Sequence, residues 1–486
     1  MKKYIITPIL ALLFIGCSTT DDVNMDEHAF YNTTQESLLT YAQKELSDYM
    51  NTPSVNENNF RLTMQYWTET IYVNESNYDF TNRTVSNNVW TDNYVNVLKN
   101  LDQAERIINA YTPTPSELTT WPGKKKNQLA IIDMMKVYTY QILVDTYGDI
   151  PYTQALNIDL YPLPKYDKAA DIYSSLISKL ETDLTNLSGS SKAFTENGDI
   201  YYGELNTVTG KKESNIDKWK AFGNSLLLKL GIALADVNPG LAQTTVSKAI
   251  TGGVITSSLG NCQFQYLGAS PNENPMFQET SSRDDFIAGK TLVDYMNASN
   301  DPRISAYYTD VNGNYIGQVI GTPGEFADFS NAGEFAYTKT TPGIILSYTE
   351  VSFYRAEAAA RWGIGGSAAA LYATAITSSF NDWGAGDATA YIAAHPYNAA
   401  NWKKSIGEQA WVAMYNQAVT SWNFFRRLDY PQLVAPSTAI PNAEGKVPVR
   451  LQYPTAEATT NGSNYAAASA AIGGDKLTTK IFWDIN

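Results

Sequence analysis

A segment rich in aromatic and amide side chains, YWTETIYVNESNYDFTNRTVSNNVWTDNY at 66–94, is the part of the sequence best suited to bind a polar ligand. A flat ring can stack on the apolar face of a sugar, while amide and guanidinium groups hydrogen-bond to the sugar hydroxyls. The segment therefore predicts ligand contacts by Trp67, Tyr72, Tyr78, Phe80, Arg83 and Trp90. The alternative is that the same rings pack helices together from the loop side.

Residues for catalysis are scarce. The chain has two histidines, His28 and His395, which argues against nucleophilic catalysis by histidine and against a metal site built from several histidines. The sequence has no HExxH, GxSxG, P-loop or GxGxxG motif. We therefore expect no enzyme activity, no catalytic residue, no cofactor and no metal site. A glycoside hydrolase stays open as an alternative, because two carboxylates suffice for that reaction and 49 acidic residues are present.

The stretch YYTDVNGNYIG at 307–317 has two interpretations. Asp310, Asn312 and Asn314 are spaced as in a calcium loop, but Tyr315 stands where such a loop needs glycine. An Asn-Gly pair between short apolar and polar alternations is instead typical of a β-hairpin turn. The sequence therefore predicts a hairpin here.

The charge balance limits the class of partner. The formal net charge is −14, from 35 basic and 49 acidic residues, and the lone basic run is Lys124–Lys126. Binding to nucleic acid is not expected, because contacts with phosphates need cations. The two cysteines are Cys17 and Cys262. If Cys17 carries lipid, Cys262 has no partner and no disulfide can form.

The N-terminus indicates export. Two lysines precede an apolar stretch that is too short to span a bilayer, and Phe-Ile-Gly-Cys then resembles a bacterial lipobox. We predict a lipoprotein signal peptide at 1–16, lipidation of Cys17 and an acidic tether at 17–30. The alternative is an ordinary signal peptide whose apolar region contains a cysteine.

Apolar residues recur at helical spacing in several segments. The predicted helices lie within 129–148, 167–187, 217–236, 347–363 and 370–384. Asp167 or a neighbouring residue is the expected N-cap of the second helix. We predict a mostly α fold of tetratricopeptide-like helical hairpins with long irregular loops and a few short β-hairpins. It forms a single domain at 31–486, with loop-rich insertions around 51–90 and 252–345.

Five motifs in order resemble the SusD/RagB family of outer-membrane nutrient-binding lipoproteins. They are LVDTYGDIPYTQAL (143–156), DIYYGEL with the 217–236 segment, ILSYTEVSFYRAEAAARWG (345–363), WVAMYNQAVTSWNFFRRLDYPQL (411–433) and the segment 447–484. Within these motifs we expect Gly148 and Pro151 to end a helix, and Arg426, Arg427, Arg450 and Glu457 to form structural pairs.

The resemblance implies a lipid-anchored protein of the outer membrane, and the acidic tether resembles an export tag for its outer face. It also implies a role, in which the protein captures a glycan or peptide and passes it to a partner TonB-dependent, SusC-like transporter. Because loop aromatics and amides suit sugars, we expect a glycan ligand. The alternatives are a peptide receptor, the surface glycoside hydrolase, and a structural subunit that gates the transporter without binding a ligand alone.

Overall fold

The structure is a computed structural model that describes residues 33–485. The predicted signal peptide, the lipidation site at Cys17 and the tether at 17–30 lie outside the described residues. Residues from Gln35 onward form one compact unit. None of the helices within 33–485 combines the length and the apolar character that a membrane crossing requires.

Helices make up most of the regular structure, and we number them in chain order. In the first half they are α1 (Gln35–Asn51), α2 (Phe60–Thr63), α3 (Val85–Thr91), α4 (Lys99–Ala110), α5 (Trp121–Tyr147), α6 (Ala169–Asn186), α7 (Ile216–Ala233) and α8 (Pro239–Gly252). In the second half they are α9 (Pro275–Thr280), α10 (Lys290–Ala298), α11 (Ile304–Tyr307), α12 (Tyr348–Trp362), α13 (Ala368–Asp382), α14 (Thr389–Ala394), α15 (Trp402–Ala413), α16 (Ala418–Leu428), α17 (Glu457–Thr460) and α18 (Gly462–Ala471).

Shorter elements join these helices. Within residues 33–485, six strands form three two-stranded antiparallel sheets: β1 (Trp67–Glu69) with β5 (Phe286–Ala288), β2 (Gly203–Leu205) with β3 (Lys212–Ser214), and β4 (Cys262–Phe264) with β6 (Gly343–Leu346). The 3₁₀ turns are Glu75–Asn77, Ser258–Gly260, Phe326–Asp328, Glu334–Tyr337, Ala399–Asn401 and Pro441–Ala443. A π-helix at Asp92–Leu98 joins α3 to α4.

The predicted fold class is confirmed. Helices that follow one another pack as pairs, namely α5 with α6, α7 with α8, α12 with α13 and α15 with α16. Contacts of α6 with α7, and of α12 with α7 and α15, connect these pairs. The result is a tetratricopeptide-like array, in which each helix buries its apolar side against its neighbours.

Helix ends follow local chemistry. Gly148 and Gly363 end α5 and α12 with φ of 87° and 68°, which suits a residue without a side chain. The N-cap of α6 is Lys168, which neighbours Asp167 as predicted, and its side chain makes no capping hydrogen bond. Asp167 accepts hydrogen bonds from Tyr152 and Thr153, and it is Asp149 Oδ1 that accepts from the Ala169 backbone N–H at 2.8 Å.

The loop-rich segments meet in the β1–β5 sheet, where Trp67 pairs with Ala288. At 307–317 the predicted turn is present, since Asn312 and Gly313 have φ of 52° and 81° and Val311 pairs with Asn314. The predicted hairpin does not extend from that turn, because Tyr308 pairs with Ala332 instead. The complete hairpin of the structure is β2–β3 at 203–214.

Tyrosine forms much of the interior, which explains its excess over phenylalanine. Buried hydroxyl groups donate to backbone carbonyls: Tyr138 to Ile345 at 2.6 Å, Tyr307 to Val412 at 2.8 Å and Tyr308 to Tyr66 at 2.7 Å. A tyrosine therefore fills core volume and also satisfies an irregular loop carbonyl that would otherwise be buried without a partner.

Candidate ligand-binding site

The structure separates the six predicted contact residues by exposure. Trp67 and Tyr78 are fully buried, and Phe80 keeps 6% of its surface exposed. The Trp67 indole N–H donates to the Tyr415 hydroxyl at 2.7 Å, and its ring packs on Phe286. Neighbouring groups cover most of the ring faces of these three residues, as the packing alternative describes, and their predicted ligand contacts stay predictions.

Tyr72 and Arg83 lie nearer the surface. Tyr72 is 67% exposed, on a loop with the equally exposed Ile71. The Arg83 guanidinium is half-buried and donates to Glu75 Oε1 at 2.7 Å, so its charge is paired within the protein. The predicted ligand contacts of these two residues stay predictions.

Two buried carboxyl groups flank the segment 70–74 that carries Tyr72, which we call the Tyr72 loop. Glu69 precedes the loop and Glu75 follows it, and both carboxyl groups are buried. Ser76 donates to Glu69 Oε2 from its backbone N–H at 2.8 Å and from its hydroxyl at 2.9 Å. Burial above all, with the contribution of the neighbouring Glu75, raises the pKa of Glu69 to about 8, so Glu69 is mostly protonated at neutral pH.

Trp90 lies at the wall of a cleft of about 440 Å³, which we call the Trp90 cleft. The cleft also has walls from Tyr94, Val95, the loop 154–158, Tyr161 and Glu457. Trp90 packs on Tyr94, Tyr147 and Tyr166, with ring centroids 4.8, 5.1 and 6.1 Å away. These contacts hold the indole in place while leaving it half-exposed.

Two unusual backbone features lie at this cleft. The π-helix at Asp92–Leu98 follows α3 and places Tyr94 and Val95 in the wall. Leu156, in the opposite wall, has φ of 62°, a left-handed conformation that is strained for a bulky residue. Both features are enriched at functional sites, where they position side chains at a cost in stability.

The rim of the cleft is apolar and exposed. Ile158, Leu160 and Leu163 are 77%, 69% and 59% exposed, and Tyr161 between them is 39% exposed. Prolines at 162 and 164 restrict the backbone of this loop. Exposed apolar side chains gathered in this way indicate a surface that contacts a ligand or a partner.

Polar groups complete the cleft. Glu457 accepts from the Tyr166 hydroxyl at 2.6 Å through Oε2, and its Oε1 has no hydrogen bond to another described residue. Gln154 accepts from Lys165 N–H at 2.9 Å, and its amide NH₂ has no described partner. The cleft therefore offers the Glu457 oxygen as an acceptor, the Gln154 amide and the exposed Lys99 ammonium group as donors, and flat aromatic rings.

A larger groove of about 630 Å³ lies between α5 and α6, but its described lining includes no aromatic side chain. The Trp90 cleft is therefore the better candidate for a site that recognises a sugar ring. Within the described residues, no group of three or more His, Cys, Asp or Glu side chains is placed to hold a metal ion.

Sequence reasoning identified Trp90 but missed Tyr161, Gln154 and Glu457. Tyr161 follows the GDIPY motif within a proline-containing stretch, and an aromatic residue in such a stretch is a usable signal for exposure. Glu457 was predicted to form a structural pair, and it does so with Tyr166. Glu457 also lies in the cleft wall. That position depends on its contact with Tyr166, which lies 291 residues earlier in the chain.

The comparisons with known proteins agree with this fold. A family model described as SusD-like, starch-binding and associating with the outer membrane, matches residues 27–454. A solved chitin-binding protein is 28% identical, with a TM-score of 0.79, and covers 93% of this chain and 100% of its own. No match is found among curated proteins.

Two further solved structures share the fold at lower identity. A chitin-binding SusD homologue from Flavobacterium johnsoniae is 22% identical, with a TM-score of 0.76, over 93% of this chain and 98% of its own. A SusD homologue from Bacteroides uniformis is 23% identical, with a TM-score of 0.75, over 92% of this chain and 99% of its own.

Proposed function

This chain belongs to the SusD-like family, and from that premise we propose that it is a cell-surface lipoprotein that binds a glycan and passes it to a TonB-dependent transporter. The proposed role is binding without bond breaking. The glycan is an oligo- or polysaccharide, in keeping with a family described as starch-binding and a 28% identical structure described as chitin-binding.

The observation that carries the proposal is the composition of the Trp90 cleft. The half-exposed indole of Trp90 and the 39% exposed ring of Tyr161 offer apolar faces to a sugar ring. The free amide of Gln154 and the free oxygen of Glu457 can bond to its hydroxyls. This combination of flat rings and planar polar groups is the one that pyranose recognition needs.

Affinity electrophoresis tests glycan binding. Protein 18–486 is run in native gels that contain soluble starch, glycol chitin or another neutral polysaccharide, beside a non-binding protein of similar size. We expect at least one polysaccharide to retard the chain. Unchanged mobility in every gel would contradict the proposal. The Tyr72→Ala and Arg83→Ala variants in the same gels test the predicted contacts of the exposed loop.

Attachment to the outer membrane is proposed through Cys17. The lipobox sequence and the acidic tether support it, and the family is described as associating with that membrane. Metabolic labelling with an alkyne fatty acid should modify the full-length protein and leave the Cys17→Ala variant unlabelled. Labelling of both, or of neither, would contradict lipidation at this residue.

Transfer to a transporter rests on the family resemblance and on the exposed apolar rim at Ile158, Leu160 and Leu163. Such a rim suits contact with a protein partner. We expect the tagged lipoprotein, extracted in mild detergent from its native cells, to co-purify with a TonB-dependent transporter. Recovery of the lipoprotein alone would contradict a stable complex.

A peptide ligand is the second candidate, and the same apolar rim favours it. Apolar side chains of a peptide could pack on Ile158 and Leu163, while Glu457 and Lys99 would bind its polar groups. Calorimetric titration with a mixture of casein-derived peptides distinguishes the two ligands. Heat from the peptides together with unretarded mobility in all polysaccharide gels would favour a peptide receptor.

Incubation with the polysaccharides should release no reducing sugar; release would favour a hydrolase.

A further inference from the structure

A second cavity, of about 300 Å³, adjoins the Trp90 cleft, and we call it the Gln452 cavity. Its lining includes Phe80, Thr81, Asn87, Asn442, Gln452 and Thr455. Phe80, which is otherwise buried, contributes its exposed edge to this cavity. Two residues predicted from sequence, Phe80 and Trp90, therefore line neighbouring cavities.

The two cavities lie at neighbouring turns of α3. Asn87 of α3 lines the Gln452 cavity, and Trp90, three residues later on the same helix, lines the Trp90 cleft. Residues three positions apart lie on the same side of an α-helix. The combined surface is therefore longer than either cavity alone.

One chain segment also forms the opposite wall of both cavities. The segment 451–455 lines the Gln452 cavity, and Glu457, two residues further along the chain, lines the Trp90 cleft. Between the cavities Asn87 Oδ1 accepts from the Thr455 backbone N–H at 2.9 Å. Thr455 is exposed and Asn87 half-exposed, so the cavities are divided by a surface contact and not by the core. A chain molecule can pass over this contact from one cavity to the other.

The Gln452 cavity is rich in groups that bond to hydroxyls. The side chains of Thr81 and Asn442 are exposed and have no hydrogen bond to another described residue. Gln452 donates to the Asp475 carbonyl at 2.8 Å and keeps its amide oxygen free of described partners. These groups complement the Trp90 cleft, where aromatic and apolar surface dominates.

We infer that the Trp90 cleft and the Gln452 cavity form one continuous groove that binds an extended segment of a glycan chain, with sugar residues in both cavities. This inference rests on the proposed glycan-binding function. The substrate class is a linear glycan several residues long, because a mono- or disaccharide would fill one cavity and leave the other empty.

A chain-length series tests the inference. Calorimetric titrations use maltooligosaccharides and chitooligosaccharides from disaccharides to heptasaccharides, on wild-type 18–486 and on the double variant Thr81→Ala/Asn442→Ala. In wild type we expect the affinity to rise about tenfold or more from the shortest to the longest binding oligomer, as the hydrogen bonds of the second cavity are added. The double variant should lose most of that rise and keep its affinity for short oligomers.

Two further variants distinguish a failure of the continuous groove from a failure of glycan binding. Thr185→Ala, an exposed threonine on α6, should behave as wild type at every length. Tyr161→Ala should weaken binding at every length. Equal affinity for short and long oligomers, or a length dependence that survives in the double variant, would overturn the continuous groove and leave glycan binding intact. A failure of all oligomers and all polysaccharides to bind would overturn the proposed function together with this inference.

Discussion

At the scale of single residues, an aromatic side chain can contact a ligand only if one of its ring faces is exposed. Trp67 and Trp90 both lie in the segment 66–94, and sequence alone treats them alike. In the structure Trp67 bonds to Tyr415 from inside the core, while Trp90 packs on three tyrosines and still reaches the cleft. Trp67 is covered by Phe286 and Tyr415, which lie more than 200 positions away in the chain, and the sequence alone does not reveal such partners.

Replacing Trp90 by phenylalanine tests its contact with the ligand. Phe fills much of the same space beside Tyr147 and Tyr166 but offers a smaller ring to the cleft. We expect glycan binding to weaken about three- to tenfold, in line with the modest energy of one stacking contact. Calorimetric titration measures the affinity, and thermal unfolding should show a small loss of stability.

Trp402→Phe is the matched control, since Trp402 is also half-buried and packs under the Arg361 guanidinium outside the cleft. Its affinity should equal that of wild type. Equal weakening by both variants would mean that a general loss of stability, and not ring contact, explains the effect of Trp90→Phe.

At the scale of elements, long helices could be predicted and short strands could not. The segments 129–148 and 347–363 repeat an apolar spacing over several turns, so their helices need no distant information. The strands are three or four residues long, and β1 finds its partner β5 more than 200 residues later. The cavities are lined by segments that are also far apart in the chain, within 80–99, 151–164 and 442–477, which is why the sequence predicted one residue of the Trp90 cleft but not its walls.

The carboxyl pair under the Tyr72 loop predicts a pH dependence of stability. Glu69 has a usual pKa of 4.5 when unfolded and about 8 when folded, so folding takes up a proton between these values. Since the folded state binds more protons there, the free energy of unfolding falls as pH rises from about 5 to 8 and then levels off. This group contributes a slope of up to about 1.4 kcal/mol per pH unit.

Glu69→Gln keeps a neutral, hydrogen-bonding side chain beside Glu75 and removes the titration. We expect the plot of unfolding free energy against pH, from urea denaturation, to be flatter by about 1 kcal/mol per unit between pH 6 and 8. The exposed Glu334→Gln should retain the wild-type slope. An unchanged slope in Glu69→Gln would show that Glu69 is already ionised in the folded protein.

At the scale of the whole molecule, three of the five motifs that resemble the SusD/RagB family meet at one buried group. Asp145 of the 143–156 motif accepts from Asn423 at 2.9 Å and from the Trp483 indole at 2.8 Å, which belong to the two C-terminal motifs. Tyr173 of α6 donates to the same carboxylate at 2.6 Å. These motifs therefore indicate the fold, and ligand recognition lies in the loops between them. The resemblance predicted the architecture correctly for this reason and said little about the cleft.

Asp145→Ala would leave the buried donors of Asn423, Trp483 and Tyr173 without their acceptor. Because each unpaired buried donor costs about 1–3 kcal/mol, we expect the free energy of unfolding to fall by about 3 kcal/mol or more. Urea denaturation followed by tryptophan fluorescence measures the change. Asp328→Ala, at an exposed position whose side chain has no hydrogen bond to another described residue, should stay within about 0.5 kcal/mol of wild type. A small effect at Asp145 would contradict its role as the meeting point of the motifs.

Glycan binding in the Trp90 cleft can be tested by a single titration. Wild type, Tyr161→Ala and Tyr111→Ala are titrated with the polysaccharide that retards the chain in native gels. Tyr161 and Tyr111 are both 39% exposed, but Tyr111 packs on Trp121 outside the cleft. We predict about tenfold weaker binding for Tyr161→Ala and unchanged binding for Tyr111→Ala. Unchanged affinity in Tyr161→Ala would contradict the claim and place the glycan elsewhere on the protein.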